Sequence, residues 1–419
     1  MKDKIKENIN QPEELERLYR SDRNQFESGF EEIYPAIENN DLANFWKIRL
    51  EYHKANGKTK SFRFSDIAFV IAACLITSIL IKFPAIFNID LNDIVYYEKN
   101  AGIIVLFGLS MFAVWINKIF SPKKIALIAI AFLVPALYIN LLPLNPESQS
   151  LNLAYIHLPL FMWCIYGMIY IGLDLKDKRK RIDYIKYNGD VAVLGALILI
   201  AGGILAGTTI GLFSAIDINI EHLYMEYVAI CGLVSAPIVA TYIIQNYPTF
   251  TNKIAPIIAN IFSPLVLITL VIYLITILVS GKSPYTNRDM LIIFNLMLLG
   301  VMGIIVFSVS ETSLNKKQRF NEIILFILSI VTLIIDMVAL SAIFYRLNAY
   351  GITPNRLAVL GSNLLIFVNL VLIMIDLYNV NFRKADIGKV ELTISKYLPF
   401  YAIFTFIIVF LFPLIFGMK

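Results

Sequence analysis

The chain has 419 residues, 58% of them hydrophobic and 16% charged, with 29 Phe, 22 Tyr and a formal net charge of +5. Soluble globular chains are about 45–50% apolar and about a quarter charged, so the surplus apolar surface must face something other than water. These proportions exclude a cytosolic enzyme, a disordered scaffold and a secreted disulfide domain. They imply an integral membrane protein whose first partner is the lipid bilayer, with no nucleic acid expected.

Residues 1–66 differ from the rest, carrying twelve basic and thirteen acidic side chains. Pro12 before Glu13-Glu14 suits a helix start, because proline fits the first turn and acids complement the N-terminal dipole. Leu15, Leu18, Tyr19, Phe26, Phe30, Ile33 and Tyr34 recur at roughly helical spacing and give one apolar face. Pro35 and Asn39-Asn40-Asp41 interrupt, and Leu42, Phe45, Trp46, Ile48 and Leu50 mark a second helix. Residues 1–64 therefore read as a small cytosolic helical hairpin, ahead of a transmembrane domain at 65–419. About fifty residues bury little core alone. The hairpin either packs on itself against the bundle or docks a cytosolic protein partner through residues 1–60. The bases Lys54, Lys58, Lys60 and Arg63 before the first apolar run read as a topology signal.

A bilayer core of ~30 Å takes about 20 helical residues per crossing. Eleven apolar runs have that length: 65–87, 101–120, 124–143, 153–173, 189–213, 222–246, 255–280, 289–310, 320–345, 355–379 and 397–416. They are continuous and not alternating, which disfavours a β-barrel. The expected fold is all-α, a polytopic helical membrane bundle of about eleven spans. Run 65–87 is long and lacks a small-residue cleavage site, so it reads as a signal anchor and not a cleaved signal peptide. Basic residues near membrane ends stay on the cytoplasmic side. With the N-terminus inside, seventeen Lys and Arg fall in inner segments and six in outer ones, which favours N-in, C-out.

Cys74, Cys164 and Cys231 are odd in number and lie in apolar runs, so neither a disulfide framework nor a cysteine metal site is expected. His157 and His222 stand at outer helix ends without a second ligand nearby, and no metal is expected there. The chain carries no P-loop, no HExxH and no GxSxG. No cofactor is expected, and a transporter is favoured over an enzyme.

An ionisable side chain at mid-bilayer costs at least ~2.5–3.5 kcal/mol and is a functional candidate by default. Asp336 lies well inside run 320–345, and Ser329 and Thr332 share its helical face, making a polar stripe suited to a protonation site or small-ion path. The alternative is a structural cap, with Asp336 bonded to Asn363, Asn369 or Asn295. Asp376 near Arg383 reads as an interfacial charge, while Lys82 and Glu226 lie near outer ends and can snorkel. Gly203, Gly207 and Gly211, preceded by Gly195 and Gly202, form a small-residue face expected to pack another helix. Pro237 and Ser263-Pro264 predict kinks. Run 65–87 lacks a matching central break, so an inverted repeat is not supported.

The segment Tyr345 to Arg356 has the most individual character. Gly351 permits a positive φ, and Thr353-Pro354 reads as an N-cap followed by proline at the first helical position. Arg346 and Arg356, with Tyr345 and Tyr350, are candidates either to grip an anion or lipid phosphate at the outer face or to anchor helix ends to headgroups. Tyr350, Gly351, Thr353 and Arg356 form a Tyr-Gly-x-Thr-x-x-Arg element. With Arg346 upstream and Leu15-Glu16-Arg17-Leu18-Tyr19-Arg20 in the tail, it resembles a bacterial family of multi-pass membrane proteins, domain of unknown function 4153. The resemblance covers most of the chain and implies a bacterial cytoplasmic (inner) membrane location. That family has no agreed activity to carry over.

Three readings follow. The first is a secondary transporter or ion-coupled permease with Asp336, Thr332, Ser329 and Asn363 at the coupling site and Arg346 and Arg356 near the outer mouth. The second is a membrane enzyme or flippase acting on a lipid-linked anionic substrate around Arg346, Tyr350 and Arg356. Acids for such chemistry are few in the outer segments: Asp90, Asp93, Glu98, Glu147, Asp217, Glu221 and Asp289. The third is a non-catalytic assembly or regulatory protein whose hairpin recruits a partner.

Overall fold

In the computed structural model the described residues are 1–38, 40–56, 64–87, 95–214, 218–246, 261–272, 274–275, 279, 285, 288–312 and 319–418. Lys58, Lys60, Arg63, Asp90, Asp93, Asp217, Lys253, Lys282, Lys316, Lys317 and Lys419 lie outside them, as does part of run 255–280. The chain divides into two compact units, Met1–Asp66 and Ile67–Lys419.

The first unit contains α1 (Lys2–Glu7), α2 (Pro12–Ser21), α3 (Arg23–Ile37) and α4 (Asp41–Asn56). It is therefore a small four-helix unit and not a two-helix hairpin. The long first helix expected from Pro12 breaks at Asp22, whose backbone is extended and whose carboxylate accepts from the Gln25 N–H at 3.0 Å. An acidic N-cap stabilises a new helix start there. Pro35 does not end α3, which runs on two residues further to Ile37. Before α4, Asn40 Oδ1 accepts from Leu42 N at 2.9 Å and Ala43 N at 3.1 Å. The unit packs on itself: Ile5, Leu15, Tyr19, Phe26, Phe30, Ala43, Trp46 and Leu50 form one core. The Trp46 ring lies 5.3 Å from Tyr19 and 5.0 Å from Phe26, with the Arg49 guanidinium 4.5 Å above it. Phe45 and Ile48, also apolar, are 56% and 66% exposed. The buried stripe of α4 runs through Ala43, Trp46 and Leu50 at spacings of three and four, which leaves Phe45 and Ile48 beside it.

The second unit contains α5 (Phe64–Ile81), α6 (Tyr96–Ile116), α7 (Pro122–Leu141), α8 (Gln149–Tyr170), α9 (Lys178–Ser214), α10 (Ile230–Asn246), α11 (Ile261–Ile272), α12 (Arg288–Thr312), α13 (Arg319–Tyr350), α14 (Pro354–Arg383) and α15 (Gly388–Phe406). A π-helical segment, Tyr224–Ala229, leads into α10, and another, Ile407–Leu411, follows α15. Among the described residues no strand occurs, and nine helical stretches are long and apolar enough to cross a membrane. Two further apolar helices, Ser65–Ile81 and Ile261–Ile272, are shorter. This is the fold of a multi-pass helical membrane protein.

Helix bounds depart from the apolar runs where charged residues extend a helix. Lys178 to Lys186, expected in a loop, form the first turns of α9. Run 65–87 is not one helix: α5 stops at Ile81 and Pro84 sits in a separate turn, Phe83–Ile86. Two cores hold the unit together. One gathers Phe112, Leu158, Met162 and Tyr166 from α6 and α8 with neighbours on α5, α7, α9 and α10. The other gathers Phe294, Leu328, Ile335 and Leu370 from α12, α13 and α14 with neighbours on α15.

The glycines that allow close helix contact are not those of the α9 series. A methyl group on Gly108 would lie 2.5 Å from Thr77 Cγ2 and 2.6 Å from Ile238 Cδ1, and one on Gly102 2.7 Å from the Pro159 ring. At Gly195, Gly202, Gly203 and Gly207 it would meet nothing within 4 Å, so the expected packing of this face is not made within the described residues. Gly211 belongs to α9, but its surroundings lie outside those described. The reason is where α9 finds its neighbours, since its contacts are made by Tyr184, Tyr187 and Gly189 near its charged end.

Candidate functional site

Helices α13 and α14 form an antiparallel pair joined by Gly351 at φ +77° and capped by Thr353, whose hydroxyl accepts from the Arg356 N–H at 3.3 Å. The turn chemistry foreseen from Gly351-Ile352-Thr353-Pro354 is present. It fixes the register of the pair, so residues on facing stripes can be placed by helical rise. Asp336, Ala339, Ile343 and Arg346 follow one face of α13 at spacings of three and four. Arg356, Asn363 and Asn369 lie on α14. At ~1.5 Å per residue, Asp336 sits about 15 Å below Arg346, between the levels of Asn363 and Asn369.

Asp336 is completely buried, and neither carboxylate oxygen has a hydrogen-bond partner among the described residues. The asparagines expected as its caps are engaged elsewhere. Asn363 donates to Asn295 Oδ1 at 2.8 Å, and Asn369 donates to the Tyr401 hydroxyl at 3.0 Å. Ser329 and Thr332 share the buried face with Asp336, but their hydroxyls donate to Phe326 O and Leu328 O, each at 2.7 Å. They satisfy their own helix and do not form a hydrogen-bonded stripe to the acid, because serine and threonine within a helix reach the preceding turn most easily. Tyr401 lies within electrostatic reach of Asp336. A charge without donors is costly in a dry interior, and binding a proton or a small cation relieves that cost.

Above this level a cavity of about 330 Å³ opens, lined by Arg346, Arg356, Asn295, Asn355, Thr353 and apolar side chains that include Ile343. Arg356 Nη1 donates to Tyr350 O and Gly351 O, both at 2.7 Å, which holds its guanidinium against the turn. Arg346 Nη1 is buried without a hydrogen-bond partner among the described residues. The Tyr350 ring lies 5.9 Å from the Arg346 guanidinium and 5.6 Å from that of Arg356. The three residues singled out in this segment thus come together, and Asn295 joins their cavity to Asn363 below.

No family model, curated protein or solved structure matches the chain. Its own residues are the ground on which a function can rest.

Among the other charges of the second unit, Lys82, Glu226 and Asp376 are paired. Lys82 and Glu226 do not snorkel separately: Lys82 Nζ lies 3.5 Å from Glu226 Oε1 and 4.5 Å from the Tyr227 ring. Asp376 meets Lys389 at 3.1 Å and accepts from Thr393 at 2.6 Å, in place of the expected proximity to Arg383. His222 meets Glu226 at 3.3 Å, and His157 Nδ1 meets Leu153 O at 2.9 Å. No group of three or more His, Cys, Asp or Glu able to hold a metal occurs among the described residues.

The sequence pattern did not point to two features at the opposite end of the bundle. Glu311 closes α12, is buried, and lies in the field of Asp190, Lys186 and Glu391. A second cavity, about 430 Å³, is lined by Tyr166, Tyr170, Asp183, Lys180 and Thr241. Beside it a hydroxyl chain links Tyr166 to Tyr187 at 2.7 Å and Tyr187 to Thr241 at 2.6 Å. Lys180 is taken by Asp174 at 2.7 Å, and this bond holds the Asp174 carboxyl below the usual carboxylate range. Tyrosines at spacings of three and four on α8 and α9 (Tyr166 with Tyr170, Tyr184 with Tyr187) were the available signal.

Proposed function

We propose that the protein is an ion-coupled secondary transporter, with Asp336 as the group that binds and releases the coupling proton or small cation. The observation that carries this reading is a fully buried carboxylate with no hydrogen-bond partner on either oxygen among the described residues, two turns below a polar cavity on the same helix face. A structural acid would be capped, and the three asparagines able to cap it bond elsewhere. In this reading the chain spans the bilayer eleven times, the two shorter apolar helices included, with its N-terminus inside and the Gly351 turn outside. The clustering of Lys178, Arg181, Lys186, Lys389 and Ser395 around one end supports that orientation. The membrane is a bacterial cytoplasmic membrane, and the chain falls with the domain of unknown function 4153 proteins on its Tyr350–Arg356 element. The second reading, a flippase for a lipid-linked anion, is favoured by the paired arginines.

The test is proton flux. Proteoliposomes with a trapped pH-sensitive dye are exposed to inorganic phosphate, hexyl phosphate or hexanoate. At least one anion should drive internal acidification above that of empty liposomes, and Asp336→Asn should abolish it while the protein still folds. Equal flux in Asp336→Asn would refute the coupling role.

A further inference from the structure

The cavity beneath the Gly351 turn has a charge pattern of its own. Two guanidinium groups line it, and no acidic side chain does among the described residues. Arg356 spends one nitrogen on two carbonyls of the turn, which leaves its Nε and Nη2 edge without a bond among the described residues and fixed in direction. Arg346 has a buried nitrogen with no partner at all among the described residues. Buried donors left unmade are costly, and a guanidinium fork matches the oxygens of a phosphate. The first turn of α14 adds the positive end of a helix dipole, since Thr353 and Asn355 line the same space. The rest of the wall is made by Leu153, Leu291, Ile292, Ile343 and Val359, with the amides of Asn295 and Gln149 between them. At about 330 Å³ the cavity is at the small end of ligand pockets, enough for a headgroup and the first carbons of a chain.

We propose that this cavity binds a phosphate group carried on an apolar chain, with Arg346 and Arg356 on the phosphate and the aliphatic wall on the chain. Two cations and no anion suit a group whose charge at neutral pH is close to −2. A carboxylate would leave one guanidinium uncompensated. Leu153 and Gln149 place α8 on the other side of the cavity, so the ligand sits among α8, α12, α13 and α14. That this phosphate is a transported substrate rests on the transporter reading; the binding itself does not.

Full-length protein in a neutral detergent is titrated with dihexanoyl phosphatidic acid, dihexanoyl phosphatidylcholine and inorganic phosphate. Phosphatidic acid should bind, with phosphatidylcholine and inorganic phosphate at least about tenfold weaker. Arg346→Gln and Arg356→Gln should each weaken phosphatidic acid about tenfold or more, as expected when a charge-assisted bond of ~1.5–3 kcal/mol is lost. Arg383→Gln, at the far end of α14, should leave it unchanged. Should either glutamine variant fail to fold, binding to the unaltered protein must still weaken steeply with salt. Equal binding of the two lipids, binding indifferent to both arginines, or binding indifferent to salt would overturn the proposal. Inorganic phosphate binding as tightly as phosphatidic acid would overturn the part played by the apolar chain. The titration uses no ion gradient, so its failure would leave the role of Asp336 standing, and a failed flux assay would leave this site standing.

Discussion

Replacing Asp336 by Asn separates a working acid from a structural one. The amide keeps the size of the carboxyl and removes its charge. If Asp336 were a structural cap, its loss would cost ~1.5–3 kcal/mol for each charge-assisted hydrogen bond broken, and more for a buried ion pair. Among the described residues Asp336 has no such bond to lose. An ionisable aspartate at the centre of a span instead carries ~2.5–3.5 kcal/mol of unfavourable insertion energy, part of which the neutral amide removes. Asp336→Asn should therefore unfold no earlier than the unaltered protein and is expected to gain up to ~2 kcal/mol. Asp336→Leu provides a second point. Its insertion gain of ~3–4 kcal/mol is offset by ~1–3 kcal/mol of overpacking against Ala339 and Ile335 neighbours, leaving a net change near zero or positive. Reversible unfolding in mixed micelles, followed by far-ultraviolet circular dichroism, measures both. A loss above ~1.5 kcal/mol in Asp336→Asn would show a structural bond and refute the reasoning. Stability gained where transport is lost is the usual signature of a site kept for function.

Trp46→Ala removes the centre of the first unit's core and should cost ~3–5 kcal/mol, enough to unfold a unit of this size, with loss of near-ultraviolet circular dichroism from its aromatic cluster as the readout. Gly108→Ala should destabilise the bundle by ~1–3 kcal/mol, because the new methyl would lie 2.5 Å from Thr77 Cγ2. Gly203→Ala, which meets nothing within 4 Å, should be neutral or gain up to ~1 kcal/mol from helix propensity. Equal losses at both glycines would contradict the packing described for α9.

Membrane class and most helices were legible because a continuous apolar run of about 20 residues matches the thickness of a bilayer and is rare in a chain that folds in water. The Gly351–Arg356 turn was legible because its residues act through local geometry: a positive φ, a threonine cap and a proline at the first helical position. Asp336 was legible through its insertion cost. Its lack of a cap was not, since the partners of Asn295, Asn363 and Asn369 depend on which helices adjoin. Long-range pairing also hid the Lys82–Glu226 and Asp376–Lys389 contacts, which join residues far apart in the chain or across a turn. The glycine series of α9 shows the same limit, because spacing marks a face that permits approach without saying that a helix of this chain takes it, and none does at Gly203 or Gly207 among the described residues. In the first unit, the apolar residues of α4 were legible but not which of them face the core: Trp46 and Leu50 are buried and Phe45 and Ile48 exposed, since two neighbouring stripes of α4 are both apolar.

The central claim is that the Asp336 carboxyl exchanges a proton or cation with the aqueous phase. The most direct measurement is the infrared carboxyl band of the protein in a bilayer, taken as the difference between the unaltered chain and Asp336→Asn. The expected result is a carboxyl band that shifts on transfer to heavy water and disappears as bulk pH is raised. A band assigned to Asp336 that neither exchanges nor titrates would mark a sealed structural acid and contradict the claim.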